Sequence, residues 1–254
     1  MPYFTRDGYQ VFYEESGKGS PIVFIHGYLG SSRSHWGMQL DDPKLNSIYH
    51  LIAPDLRGFA KSSLGKFVEK NKTEDILNDI HYLVTDVLKL KSKPVLIGYS
   101  VGASLCIEYC LQYPENVQGL VLVGPRPFIH KTTRSWNFLA KEKRTEEKKK
   151  SASSLTWSIV KRFQKDITYI STAIQKRRNK DYLRQMTEIK APILMIYGLK
   201  DTVTPQMVFK TIRDHLPTHT QYYSYDGDHG IANERTDEFN TLLLDFLQSI
   251  PDSQ

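Results

Sequence analysis

"PVLIGYSVGASLCIEYCLQY" (94–113) decides the fold. Pro94–Tyr99 is a continuous apolar run of the kind a strand buried on both faces shows. Val101–Tyr113 reads as a helix that stops at Pro114. Between the two stands Ser100, with Gly98 and Gly102 two positions either side. A strand that turns into a helix at a serine flanked by small residues can lift the hydroxyl clear of the sheet. It also aims the first backbone amides of the helix at an oxyanion. The competing reading is a polar residue in a glycine-rich connection. The rest of the chain has to choose between them.

Outward from this segment the pattern alternates. "YQVFYEES" (9–16) and "PIVFIHG" (21–27) read as strands divided by the turn signal "GKGS", and "YHLIAPD" (49–55) as a third. "TEDILNDIHYLVTDVLKL" (73–90) predicts a helix with Thr73 at its N-cap and one apolar face of Ile76, Leu77, Ile80, Leu83, Val84, Val87 and Leu88. After the central segment come "VQGLVLVG" (117–124), "PILMIYG" (192–198) and "TQYYSY" (220–225) as strands. Thr204 and Pro205 are expected to open a helix as N-cap and first residue. "DEFNTLLLDFLQSI" (237–250) is helical, with Phe239, Leu242, Leu243, Phe246 and Leu247 inward. Strands alternating with helices predict an α/β fold with a mostly parallel sheet covered on both faces. Functional groups on such sheets gather at the carboxyl ends of the strands.

One stretch breaks the alternation. From Pro125 to Lys190 strands vanish and Leu155, Ile159, Phe163, Ile167, Ile170 and Ile174 form a helical stripe. Residues 126–190 carry 18 Lys and Arg against 6 Asp and Glu, while the rest of the chain carries 16 against 22. The expected organisation is a core domain, 1–124 with 191–254, interrupted by a helical cap, 125–190. The basic stretch could steer an anionic carrier, such as an acyl carrier protein or a coenzyme A thioester, toward the site. The plainer alternative is a solvated lysine-rich surface. No nucleic-acid groove is evident, and no apolar run approaches the ~20 residues that cross a bilayer. The start lacks a basic-then-apolar signal pattern, so a cytoplasmic location is expected. Cys106 and Cys110, one helical turn apart, read as reduced core thiols.

A serine hydroxyl needs a base, and the base a carboxylate. Of eight histidines, His229 in "YDGDHGIANE" follows the last strand and precedes the last helix. His26 also follows a strand but adjoins Gly27, and is expected to shape its loop; the other six have helix, loop or surface explanations. Asp201 in "YGLKDTVTP" follows the strand at 192–198. Asp226 and Asp228 lie so near His229 that they are expected to shape its turn. The order Ser100, Asp201, His229 suits a nucleophile, acid and base brought together from three strand ends. The oxyanion needs two donors. The amide of Val101 is one, and the amide of Tyr28 in "HGYLGSS" (26–32) is the other.

In "HGYLGSS", "PDLRGFAKS", "GYSVGAS", "YGLKDTVTP" and "GDHGIANERTDEFNTLLLDFL" the chain resembles the α/β-hydrolase superfamily, in its capped serine carboxylesterase-like branch. The resemblance implies that 125–190 caps the site and that Asp55 and Arg57 brace the loop beyond the strand at 49–55. Ala60 and Ala103 stand where the family more often has glycine. Serine rather than aspartate at the elbow argues against epoxide hydrolases and haloalkane dehalogenases. The implied activity is hydrolysis of a carboxylic ester with an apolar acyl group through an acyl-enzyme, with no metal and no cofactor. Thioesters, lactones, carbon–carbon bonds and cofactor-free perhydrolysis could use the same three residues. A binding-only receptor on this fold is the alternative of another class.

Overall fold

The protein is represented by a computed structural model that describes residues 2–28, 30–62, 73–125, 181–204 and 206–251. Most of the expected cap (126–180), with His130 and the stripe from Leu155 to Ile174, lies outside the described residues.

Eight strands form one sheet: β1 (Tyr3–Arg6), β2 (Tyr9–Ser16), β3 (Ser20–Ile25), β4 (Tyr49–Pro54), β5 (Val95–Tyr99), β6 (Gly119–Val123), β7 (Ile193–Gly198) and β8 (Gln221–Tyr225). Their order is β1-β2-β4-β3-β5-β6-β7-β8. The first two pairings are antiparallel and all the others parallel. The direction of chain growth across the sheet reverses between β3 and β5. A crevice therefore opens where their carboxyl ends diverge, the usual ligand site of such sheets.

The alternation along each strand sorts side chains into two cores. Val23, Ile25, Ile52, Leu96, Leu120, Leu122, Ile193 and Met195 face one side. They pack against α3 (Thr73–Tyr82), α4 (Val101–Gln112), α5 (Asp181–Thr187) and α6 (Gln206–Arg213). Ile22, Phe24, Leu51, Ala53, Val95, Ile97, Val121, Val123, Leu194 and Ile196 face the other. They pack against α1 (Ser32–Leu40), α2 (Pro43–Ile48), α7 (Ile231–Glu234) and α8 (Thr236–Ser249). Neighbours in sequence thus belong to opposite cores, as a two-residue side-chain period requires. Cys106 and Cys110 are buried, unpaired thiols in the first core.

Three elements depart from expectation. Strand β1, not anticipated, pairs with β2 through a turn in which Asp7 and Gly8 both have positive φ, 53° and 78°. The helix predicted over 73–90 keeps α geometry only to Tyr82, then makes a π-helical turn over Leu83–Val87. There Thr85 donates its hydroxyl to the His81 carbonyl at 2.7 Å, competing with the regular amide ladder. The anticipated face nevertheless holds: Ile76, Leu77, Ile80, Leu83 and Val84 are buried, with Val87 and Leu88 packed at the edge. Finally, Thr204 does not cap α6. Its buried hydroxyl is hydrogen-bonded to no described residue, while its backbone N–H is engaged by Asp201.

Asp55 and Arg57 do brace the loop after β4. The Asp55 carboxylate accepts the Ser32 amide at 2.7 Å and the Lys61 amide at 3.0 Å. Arg57 is buried against Asp79, with Nε donating to Oδ2 at 2.6 Å. Arg6 adds a second guanidinium to Asp79 at 3.0 Å, tying β1 to α3.

Candidate active site

Ser100 ends β5 and precedes α4 with φ 56° and ψ −113°, a conformation that side-chain-bearing residues rarely adopt. The turn is sharp because the strand and helix backbones nearly touch. A Cβ on Gly98 would lie 2.4 Å from the Ala103 nitrogen, and one on Gly102 would lie 2.2 Å from the Ile25 carbonyl oxygen. Both glycines are demanded by close approach. The Ser100 amide donates to the Val123 carbonyl at 2.8 Å, anchoring the elbow to β6. A serine preceding a helix ordinarily caps it, yet this side chain makes no capping bond. The helix-opening amide of Val101, which the helical ladder leaves without a partner, stands next to it.

His229 and Asp201 come from the loops after β8 and β7. Nδ1 of His229 lies 2.6 Å from Oδ2 of Asp201. The other carboxylate oxygen accepts the amides of Val203 and Thr204 at 2.8 and 2.7 Å. The Asp201 side chain is fully buried and that of His229 nearly so. With Nδ1–H given to the carboxylate, Nε2 carries the lone pair. Nε2 is buried and hydrogen-bonded to no described residue. Contacts of this kind with a nucleophile often tighten only when substrate is bound. The imidazole packs 5.0 Å, centre to centre, from the Tyr99 ring, beside Ser100. It also lies over Gly124 at the end of β6 (φ 53°), where a Cβ would come within 2.8 Å of the ring.

Asp226 and Asp228, expected to shape the turn of His229, instead bond across to the loop after β7. Asp228 accepts the Thr202 amide at 2.9 Å, and Asp226 pairs with Lys200 at 2.7 Å. The Lys200 amide reaches the Gly227 carbonyl at 2.9 Å. Arg235, whose guanidinium donates to the Asp226 carbonyl at 2.7 Å, closes the far side.

The loop after β3 brings His26 and Gly27 against the elbow, and the next ring, Tyr28, lies 5.9 Å from Phe59. A Cβ on Gly27 would lie 3.3 Å from Ser100 Cβ. His26 is wholly buried, donating from Nδ1 to the Gly27 carbonyl at 2.7 Å and accepting the Leu56 amide on Nε2 at 2.9 Å. It shapes the loop, as its place beside Gly27 suggested. Burial lowers its pKa, while the Gly27 carbonyl and Asp55 oppose the shift. Four other described histidines have partners away from the site: His50 with Glu15, His81 with Tyr109, and His215 and His219 with backbone carbonyls.

His35 is the residue that sequence reasoning passed over. It stands on α1 with its ring 4.6 Å from Tyr99 and 6.3 Å from His26. Its Nδ1 accepts the Gly27 amide at 3.2 Å. Burial, then the fields of His26 and His229, push its pKa down to about 4. The one signal available beforehand was position: the residue before the buried Trp36, on the first helix after the glycine-bearing loop.

Among the described residues, no three His, Cys, Asp or Glu side chains cluster as a metal-ligand set, and no helix is long and apolar enough to cross a membrane.

A family model described as the alpha/beta hydrolase fold matches residues 20–144. The chain is similar to a proline iminopeptidase of Arabidopsis thaliana, 35% identical over 122 residues, which are 47% of this chain and 31% of that protein. It therefore spans less than a third of that relative's length. A 2-hydroxy-6-oxononadienedioate/2-hydroxy-6-oxononatrienedioate hydrolase of Paraburkholderia phymatum is similar over 265 residues, at 27% identity, 94% of this chain and 91% of that one. Among solved structures, Est816, described as an N-acyl homoserine lactone degrading enzyme, superposes with a TM-score of 0.71. It is 22% identical, with 96% of this chain and 100% of that one covered. A structure from a study of carboxylesterases of Nitrososphaera gargenis gives a TM-score of 0.72 at 19% identity, covering 97% and 98%.

Proposed function

The chain belongs to the α/β-hydrolase superfamily, and from that premise we propose that it is a serine hydrolase cleaving carboxylic esters through an acyl-enzyme. The observation that carries the reading is the buried Asp201–His229 pair, 2.6 Å apart, one ring contact away from the strained Ser100 elbow.

In the proposed reaction Nε2 of His229 takes the Ser100 proton as Oγ attacks the ester carbonyl. Asp201 holds the proton on Nδ1, so that Nε2 is the basic nitrogen, and stabilises the imidazolium that forms. The amides of Tyr28 and Val101 donate to the negative oxygen of the tetrahedral adduct, each such donor being worth about 10²–10³ in rate. His229 then protonates the departing alcohol. Water, deprotonated by His229, attacks the acyl-serine, and the acid leaves as Ser100 regains its proton. Every proton is carried by a residue of this chain.

A second reading, hydrolysis of a carbon–carbon bond by the same residues, is favoured by the near full-length similarity to the 2-hydroxy-6-oxononadienedioate hydrolase. A chain-length series of p-nitrophenyl esters and thioesters, run beside 2-hydroxy-6-oxononadienedioate, separates the readings. Rapid multiple turnover of esters, absent in folded Ser100→Ala, supports the first. Preference for the dienedioate, with slow ester cleavage, supports the second. A single turnover that leaves a stable adduct would replace both with a binding role.

A further inference from the structure

Both backbone atoms of Gly27 are held by histidines, and the two need opposite protonation at the same ring nitrogen. The Gly27 carbonyl takes the Nδ1 proton of His26 at 2.7 Å, and the Gly27 amide gives its own proton to Nδ1 of His35 at 3.2 Å. His26 must therefore carry its hydrogen on Nδ1, which leaves Nε2 free to accept from Leu56, as it does. His35 must keep Nδ1 bare and, when neutral, carry its hydrogen on Nε2.

The consequence falls on the next amide. The Gly27–Tyr28 peptide is trans, so the Tyr28 N–H points opposite to the Gly27 carbonyl. Fixing that carbonyl on His26 fixes the direction of the Tyr28 N–H. The carbonyl bond holds the Gly27–Tyr28 peptide, and the bond from the Gly27 amide to His35 holds the preceding His26–Gly27 peptide, so the two Gly27 torsions that set one plane against the other are restrained from both sides. Gly30 also donates to the Gly27 carbonyl, at 3.3 Å, and so shares that end with His26, while the Gly27 amide is left to His35. The clamped residue lies directly against Ser100.

We propose that His35 is a positioning residue, whose unprotonated Nδ1 orients the loop amide of Tyr28 for the oxyanion. The role rests on the reading of Tyr28 N–H as an oxyanion donor. The surroundings suit it. The half-buried imidazole is pressed between the Tyr99 ring and the site of Gly30, where a Cβ would collide with it. A cation there would also sit near His229 just as His229 becomes imidazolium. The low pKa of His35 keeps it neutral throughout the neutral range.

The experiment compares wild type with His35→Leu, which has no acceptor, and His35→Asn, whose Oδ1 can occupy the place of Nδ1. With p-nitrophenyl acetate, His35→Leu is expected to lose about tenfold or more in kcat, with KM changed less than about threefold. His35→Asn is expected to recover most of that loss. In ¹⁵N-labelled protein the Gly27 amide proton should move upfield in His35→Leu and stay near its position in His35→Asn. Wild-type His35 should show a bare Nδ1 and a protonated Nε2 by long-range ¹H–¹⁵N correlation, a measurement that needs no variant. A protonated Nδ1 on wild-type His35 overturns the proposal, as does unchanged kcat in folded His35→Leu. If wild type hydrolyses no ester while the Gly27 amide follows His35 as stated, the clamp stands and the ester reading fails.

Discussion

The Asp201 carboxylate is divided between two tasks: Oδ2 meets His229 Nδ1 at 2.6 Å, and Oδ1 meets the Val203 and Thr204 amides. This division dictates the outcome of a single-atom change. In Asp201→Asn the amide oxygen must stay with the two backbone donors, since turning it away would leave both unpaired, that of Thr204 in a buried position. The Nδ2 group then faces His229 as a donor. The imidazole can meet a donor only by baring Nδ1, which puts its proton on Nε2 and removes the basic lone pair. Asp201→Asn should therefore fold normally and lose about 10³–10⁴ in kcat with little change in KM. Steady-state kinetics with a thermal melt of the same preparation check both halves.

Strain at Ser100 makes a second, opposite-signed test. At an ordinary site glycine is less stable than alanine, because the unfolded chain gains freedom. At φ 56° and ψ −113° the side chain itself is the cost, of order 1–3 kcal/mol. Ser100→Gly should therefore melt above Ser100→Ala, by about 2–4 °C per kcal/mol in a chain of this size. Both variants should be inactive. A lower melting temperature for the glycine variant would show that the elbow is unstrained.

Ala60 carries the same argument to a residue outside the site. The family resemblance marks it as a position where glycine is commoner, and its φ of 46° explains why. It lies exposed in the loop between Asp55 and Lys61 that the Asp55 carboxylate holds. Ala60→Gly should raise stability by about 0.5–1 kcal/mol in urea unfolding and leave turnover unchanged. Destabilisation would mean that the loop relaxes around alanine without strain.

These positions differ in how far they could be read before the fold was known. The elbow, Asp201 and His229 were legible because each follows a strand whose apolar run is hard to mistake, and the sheet brings strand ends together. The faces of α3 and α8 were legible from spacing alone, since Phe239, Leu243 and Phe246 recur at helical intervals and are buried. Strand β1 was missed because it is only four residues long, and of Tyr3–Arg6 only Phe4 is buried, which gives little alternation. Its real signal was the Asp7–Gly8 pair, whose positive φ values suit a tight hairpin. His35 was illegible for another reason: its partner, the Gly27 amide, is backbone. No side-chain pattern announces such a bond. It depends on α1 folding back over the loop that precedes it, with Ser31 capping the helix and Asp55 holding the Ser32 amide.

Acid should expose the two histidines of the clamp. His26 and His35 both have folded pKa values below the ordinary 6.5, through burial first; for His35 the value is about 4. The unfolded chain therefore takes up protons before the folded one does. The contribution of His35 is complete above about pH 6.5 and is lost as pH falls from there toward 4, at up to ~1.4 kcal/mol per pH unit, and that of His26 has the same sign. His35→Asn cannot titrate at this position, so it isolates one of the two. Between pH 7.5 and 5, wild type should lose about 1–2 kcal/mol more stability than His35→Asn in urea unfolding followed by tryptophan fluorescence. Equal losses would mean that His35 titrates normally in the fold and can be protonated without disturbing its neighbours. A greater loss in the variant would reverse the sign and place a charged His35 in the native state.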